Sequence, residues 1–242
     1  MVETEYSLDM ASASVSDVAL HFPHSIEILK KYDLDFCCNG KNRFRDACLK
    51  NNLNPEQIWR ELNDVQPWVG AEKGFRFETW NLALLIDFIV QNHHQYVRKS
   101  IPEIEELLDK VCSVHGSEVP SLNTIREDFK SLAAELLAHL PKEEEILFPA
   151  IKSLLLQSIG TTKKSIIPAN LNAPITVMEH EHESAGNLIK SIRALSNRYS
   201  PPSFACPTYQ MAFRKLKEFD DDLMQHIHLE NNILFPKAQS IH

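Results

Sequence analysis

Four long stretches after Thr79 carry apolar residues at spacings of three and four, the signature of helices with one buried face. The first runs from Trp80 to about Cys112, with Pro102 inside it as a candidate kink. The second runs from about Asn123 past Phe148 and Pro149. The third starts near Pro174 and carries Ile175, Val177, Met178, Leu188, Ile189 and Ile192. The last starts after Pro207 and carries Met211, Phe213, Leu216, Phe219, Leu223, Ile227 and Phe235. No stretch alternates strictly enough to be a half-buried strand. Four helices joined by loops of about 8 to 17 residues predict an all-α bundle.

The first 63 residues follow a different rhythm, one of short helical pieces. Ser16 is a candidate cap for a segment running through Val18 and Leu20 to Ile28 and Leu29, and Asn54-Pro55 opens another with Asn54 as its cap. Asn39-Gly40 marks a turn between them, just after the adjacent pair Cys37-Cys38. From residue 64 to 77 the periodicity lapses while Pro67, Gly70 and Gly74 accumulate, which predicts a linker. The expected organisation is a small helical domain at 1–63, a linker at 64–77 and a bundle at 78–242.

Composition supports the helical reading: six Gly, against roughly 17 at an average usage of about 7%, leave few tight turns. A formal charge of −8 argues against a nucleic-acid surface. No apolar run approaches the ~18 residues of a membrane span, and the first residues lack a signal-peptide pattern, so a cytoplasmic location is expected. Five Cys do not suggest a disulfide framework. Eleven His are the notable excess.

Their placement is repetitive. His139-Leu140-Pro141-Lys142-Glu143, running into Ile146-Leu147-Phe148-Pro149, aligns with His226-Ile227-His228-Leu229-Glu230, running into Ile233-Leu234-Phe235-Pro236, at an offset of 87 residues. Glu135 pairs with Asp222 at the same offset. One further histidine precedes each copy, His94 and His182, with His93 a competitor for the first. In H-x-x-x-E the imidazole and carboxylate lie about 40° apart on one helical face. Two such pairs facing each other, with one more His from each remaining helix, gather four His and two Glu. Two buried carboxylates would be costly unless cations offset them. The donor set, two His per ion with shared Glu, suits non-haem iron better than a closed, thiolate-rich zinc site. Glu144 and Glu145 are expected on a solvated face. His180 and His228 should point away from the ligands, and His21, His24, His115 and His242 should lie on loops or surface.

Val177-Met178-Glu179-His180-Glu181-His182-Glu183, Asp221-Asp222-Leu223-Met224-Gln225-His226 with Leu229-Glu230-Asn231-Asn232-Ile233-Leu234-Phe235-Pro236, and Lys31-Tyr32-Asp33-Leu34-Asp35-Phe36-Cys37-Cys38 together resemble the RIC proteins, the di-iron proteins for repair of iron centres. The resemblance spans nearly the whole chain. It implies a hemerythrin-like four-helix bundle behind a small helical domain with a di-cysteine motif. It also implies a function in restoring iron-sulfur clusters damaged by nitric oxide or oxidants. The implied metal ligands are His94, His139, Glu143, His182, His226 and Glu230, holding two iron ions bridged by oxo and carboxylate groups. The resemblance prefers His94 to His93, because its spacing from Asp87 and Pro102 fits the family's first helix. Glu135 and Glu181 match acidic residues near the centre, where they would orient ligands or guide iron. Cys37 and Cys38 match the family's cysteine pair, and would receive iron, cycle with a thiol reductant or electron donor, or dock an iron-sulfur client protein.

Two departures stand out. Pro141 between His139 and Glu143 removes a backbone donor and clashes with the Leu137 carbonyl, at a cost of roughly 3 kcal/mol in a regular helix, so a kink or bulge is predicted there. Asn39 replaces a glycine common in the family, which makes the cysteine turn less free to reshape. Rival expectations are a nitric oxide- or oxidant-reducing di-iron enzyme and an oxygen carrier or sensor. Pairing of chains as a homodimer is left open.

Overall fold

A computed structural model describes residues 8–22, 25–64, 76–158 and 171–241. Most of the expected linker, together with His24 and His242, lies outside the described residues. The chain separates into two compact units, Met1–Trp80 and Asn81–His242. Among the described residues regular structure is helical, with one isolated bridge, Ser14 to Arg43.

The first unit holds α1 (Val15–His21), α2 (Ser25–Lys31), α3 (Phe44–Lys50) and α4 (Pro55–Asp64). The segment expected to run unbroken to Leu29 is thus two helices. Its cap is Ser14 rather than Ser16: the Asp17 amide donates to Ser14 Oγ at 3.0 Å while Asp17 Oδ2 accepts from the Ser14 amide at 2.9 Å. An acidic side chain three residues after the cap makes this reciprocal pair, and only Ser14 has one. Asn54 caps α4 as expected, its Oδ1 accepting from the Gln57 amide at 3.0 Å. Val18, Leu29, Phe36, Phe44, Ile58 and Leu62 are buried and form this unit's core.

The loop after α2 is tied down locally. Asp35 Oδ1 accepts from the backbone amides of Cys37 (3.3 Å), Cys38 (3.0 Å) and Asn39 (3.3 Å), folding the cysteine pair around one carboxylate. The predicted turn follows, with the Asn42 amide bonded to the Asn39 carbonyl at 3.0 Å.

The second unit is the bundle. Its first helix is built from α5 (Leu82–Phe88), a π-helical stretch (Ile89–His94) and α6 (Gln95–His115). Its second is α7 (Ser121–Lys142), a π stretch (Glu143–Leu147) and α8 (Phe148–Ser158). The third is α9 (Asn172–Leu195), and the fourth is α10 (Pro207–Leu229), a π stretch (Glu230–Leu234) and α11 (Phe235–Gln239). α7 packs along α9, α10 along α6, and α6 along α7. The first connection spans only 116–120, shorter than expected, because α6 and α7 both extend toward Gly116. A Cβ at Gly116 would stand 2.4 Å from the Cys112 carbonyl oxygen, so the close turn requires glycine.

The bulge expected near Pro141 lies one residue beyond Lys142, over Glu143–Leu147, and Pro141 itself stays within α7. A matching π stretch precedes Pro236. Wider turns relieve the clash between a proline ring and the carbonyl four residues back, and they fall on the candidate ligands.

Candidate metal centre

His94 closes the first π stretch, His139 lies near the end of α7, Glu143 opens the second π stretch, His182 sits mid-way along α9, His226 in the last turn of α10, and Glu230 opens the third π stretch. All six are buried, with Glu143 and Glu230 at 0% exposure. They form two overlapping groups: His94, Glu143, His226 and Glu230, and His139, Glu143, His182 and Glu230. Within each, one donor atom from every residue lies within 4.8 Å of the others.

Each carboxylate spans both groups. Glu143 Oε2 lies 3.4 Å from His94 Nε2 and 3.3 Å from His139 Nε2. Glu230 Oε1 lies 3.0 Å from His226 Nε2, and its Oε2 lies 3.2 Å from His182 Nε2. The imidazoles pair as well: His94 and His226 Nε2 atoms are 3.1 Å apart, as are those of His139 and His182. Both oxygens of Glu143 and Oε2 of Glu230 are buried without a hydrogen-bond donor. Such a pair of carboxylates demands positive charge.

Three rings have their orientation fixed from behind. His94 Nδ1 donates to Glu144 Oε1 at 2.6 Å, His139 Nδ1 to Glu181 Oε2 at 2.8 Å, and His182 Nδ1 to Asn231 Oδ1 at 2.8 Å. Donation from Nδ1 leaves Nε2 as the nitrogen turned inward, the arrangement of metal-ligating histidines. Glu144 is held in turn by Arg98 at 2.8 Å and Glu181 by Lys142 at 2.5 Å.

Without a cation, protons must supply the charge. Burial disfavours a charged His94, but the nearby Glu143 and Glu230 carboxylates outweigh it and push the ring's pKa up to about 10. The same balance, led by Glu143, pushes His139 up to about 9. Burial dominates at His226, which is lowered. Burial would raise Glu230, but His226, His182 and His94 hold it well below the usual carboxylate range. Cations would replace those protons, so the all-nitrogen and oxygen donor set fits a pair of ions.

The remaining expectations divide. Glu181 stands behind His139. Glu135, one turn before His139 on α7, is exposed and outside both groups. Glu144, expected in solvent, instead meets His94, because its flank of the second helix faces the first. Asn231 was not anticipated, although it lies 87 residues after Glu144 in the repeat. His93 is buried outside both groups, its Nδ1 donating to Asp222 Oδ1 at 2.9 Å, and its ring stacks on His226 at 5.6 Å. His180 and Glu145 are exposed, while His228 is buried outside both groups.

In the first unit, Asp35, Cys37 and Cys38 form a third cluster of donor atoms within 4.8 Å of one another. Burial, followed by the neighbouring Cys38 thiol and Asp35, pushes the Cys37 thiol well up.

A buried, doubled His/Glu constellation in a helical bundle defines a cation-binding hemerythrin-type domain, and comparison with known proteins agrees. Residues 85–238 match the family model described as the hemerythrin HHE cation binding domain, and residues 11–66 match a domain of unknown function, DUF542. A Haemophilus influenzae protein described as a probable iron-sulfur cluster repair protein is 36% identical over 231 residues, covering 96% of this chain and 98% of its own length. The iron-sulfur cluster repair protein YtfE of Citrobacter koseri is 37% identical over 226 residues, covering 93% of this chain and 95% of its own. That of an Escherichia coli strain is 36% identical with the same coverage. This chain belongs to the iron-sulfur cluster repair family of hemerythrin-like proteins. Among the described residues no helix is long and apolar enough to cross a membrane.

Proposed function

We propose that this protein repairs damaged iron-sulfur clusters by releasing iron from a pair of iron ions held between Glu143 and Glu230. The observation carrying this reading is that each of these carboxylates reaches one histidine of each group, with three of their four oxygens lacking a hydrogen-bond donor. His94 and His226 would hold one ion, His139 and His182 the other, and the two glutamates both. Bound iron supplies Lewis acidity and one-electron chemistry at this position, and it is also the cargo.

The protein's own groups determine how firmly the cargo is held. Glu144, Glu181 and Asn231 fix ring orientation and raise the basicity of the ligating nitrogens. Protons return to His94 and His139 as iron departs, so release has a charge-compensated end state. Cys37 and Cys38, free thiols gathered around Asp35, would take iron in transit to a client cluster protein. A thiol held protonated by burial becomes a good ligand once metal displaces its proton.

The test is iron-loaded protein mixed with a cluster enzyme previously inactivated by oxidant, with metal analysis of both proteins and nitric oxide consumption measured on the same preparation. Reactivation accompanied by iron loss supports the proposal. Turnover of nitric oxide with iron retained would replace it with an enzymatic reading.

A further inference from the structure

The sequence repeat makes the two candidate ion positions equivalent, yet their surroundings are not. Each position has one histidine whose Nδ1 is held by a carboxylate: His94 by Glu144 and His139 by Glu181. The difference lies in the second histidine. His182 Nδ1 donates to Asn231 Oδ1 at 2.8 Å. His226 Nδ1 is buried and has no hydrogen-bond partner among the described residues.

The repeat explains the gap. With His94 and His182 in register at an offset of 88, the residue corresponding to Glu181 is His93. Glu181 orients the histidine of the facing H-x-x-x-E pair. At the related place His93 lies flat against His226, with rings 5.6 Å apart and 7° from parallel, and directs its own Nδ1 to Asp222. A stacked ring offers no acceptor to His226 Nδ1, so this ligand alone lacks a fixed tautomer and the added basicity that an acceptor confers.

We infer that the ion held by His94 and His226 is the one the protein gives up, and that His93, as a positioning residue, keeps that half of the centre labile while His139 and His182 retain their ion. The inference rests on the proposed iron-release function and assigns the release to one half of the site. Losing an orienting partner typically costs 10–100-fold in metal affinity, so the two ions should separate kinetically by at least about tenfold.

The test uses the full-length, iron-loaded protein challenged with a colorimetric ferrous chelator under reducing conditions. Crystals taken at half-depletion are measured at the iron absorption edge. Two release phases, with residual iron signal between His139 and His182, are expected. A single phase, or residual iron between His94 and His226, overturns the inference. His93→Glu, which places a carboxylate where Glu181 stands in the other half, should slow the first phase. Asn231→Ala, which removes the acceptor from His182, should bring the two phases together. Unchanged phases in variants that still bind two ions would also overturn it. Failure to bind two irons at all would instead remove the parent reading, so the two failures are distinguishable.

Discussion

The four inward-facing imidazoles differ in what stands behind them, and substitutions behind the ligands should reflect it. Glu144→Ala strips His94 of its acceptor and should weaken iron binding about 10–100-fold in a competitive chelator titration. Glu135→Ala should leave affinity unchanged, since that side chain is exposed and outside both groups. The ion-free state adds a pH signature. His94 and His139 have folded pKa values of about 10 and about 9, above their ordinary 6.5. Their contribution to ion-free stability is therefore complete below that value and fades as pH rises through about 9 and 10. Urea midpoints of the ion-free protein should fall over that alkaline window, while those of the iron-loaded protein hold. At pH 7.5, iron loading should release about two protons per chain, read by calorimetry in buffers of different ionisation enthalpy. The six inward residues were legible because the repeat marks them twice at fixed spacing. Glu144 was not, because its angle on one helix says nothing of which neighbouring helix covers that flank.

At the scale of elements, π stretches rather than regular turns carry His94, Glu143 and Glu230. Pro141 announces one of these bulges, found just beyond it over Glu143–Leu147, whereas the stretches at Ile89–His94 and Glu230–Leu234 were not expected from the sequence. Stability at the far end of the bundle depends on a buried network. Asp220 accepts from Arg193 Nε at 2.9 Å, Arg193 Nη2 at 2.7 Å and the Tyr199 hydroxyl at 2.9 Å. This clamps the end of α9 and the following loop, where Asn197, Arg198 and Tyr199 all take positive φ, to α10. Asp220→Ala leaves the guanidinium without its counter-ion and should cost about 3–5 kcal/mol by urea denaturation. Helix positions followed from periodicity, but such long-range polar pairs did not, because nothing local in the sequence marks a partner 27 residues away.

On the scale of the whole chain, the proposed function divides the labour between the two units: the bundle would store iron, and the first unit would present Cys37 and Cys38. Replacing both cysteines with serine should leave iron content intact and abolish or strongly reduce client reactivation, measured side by side. Equal reactivation by the double variant would assign the first unit another role. The division into a small helical unit and a bundle was readable from the change in apolar rhythm, because that rhythm reflects which faces each unit must bury. In the proposed function, iron itself moves from the bundle into the damaged cluster. The most direct measurement loads the protein with isotopically labelled iron, incubates it with the oxidant-inactivated client, separates the two and locates the label by Mössbauer spectroscopy. Label incorporated into the client's rebuilt cluster, in proportion to recovered activity, is the predicted result. Recovered activity with all the label still in the bundle would contradict it.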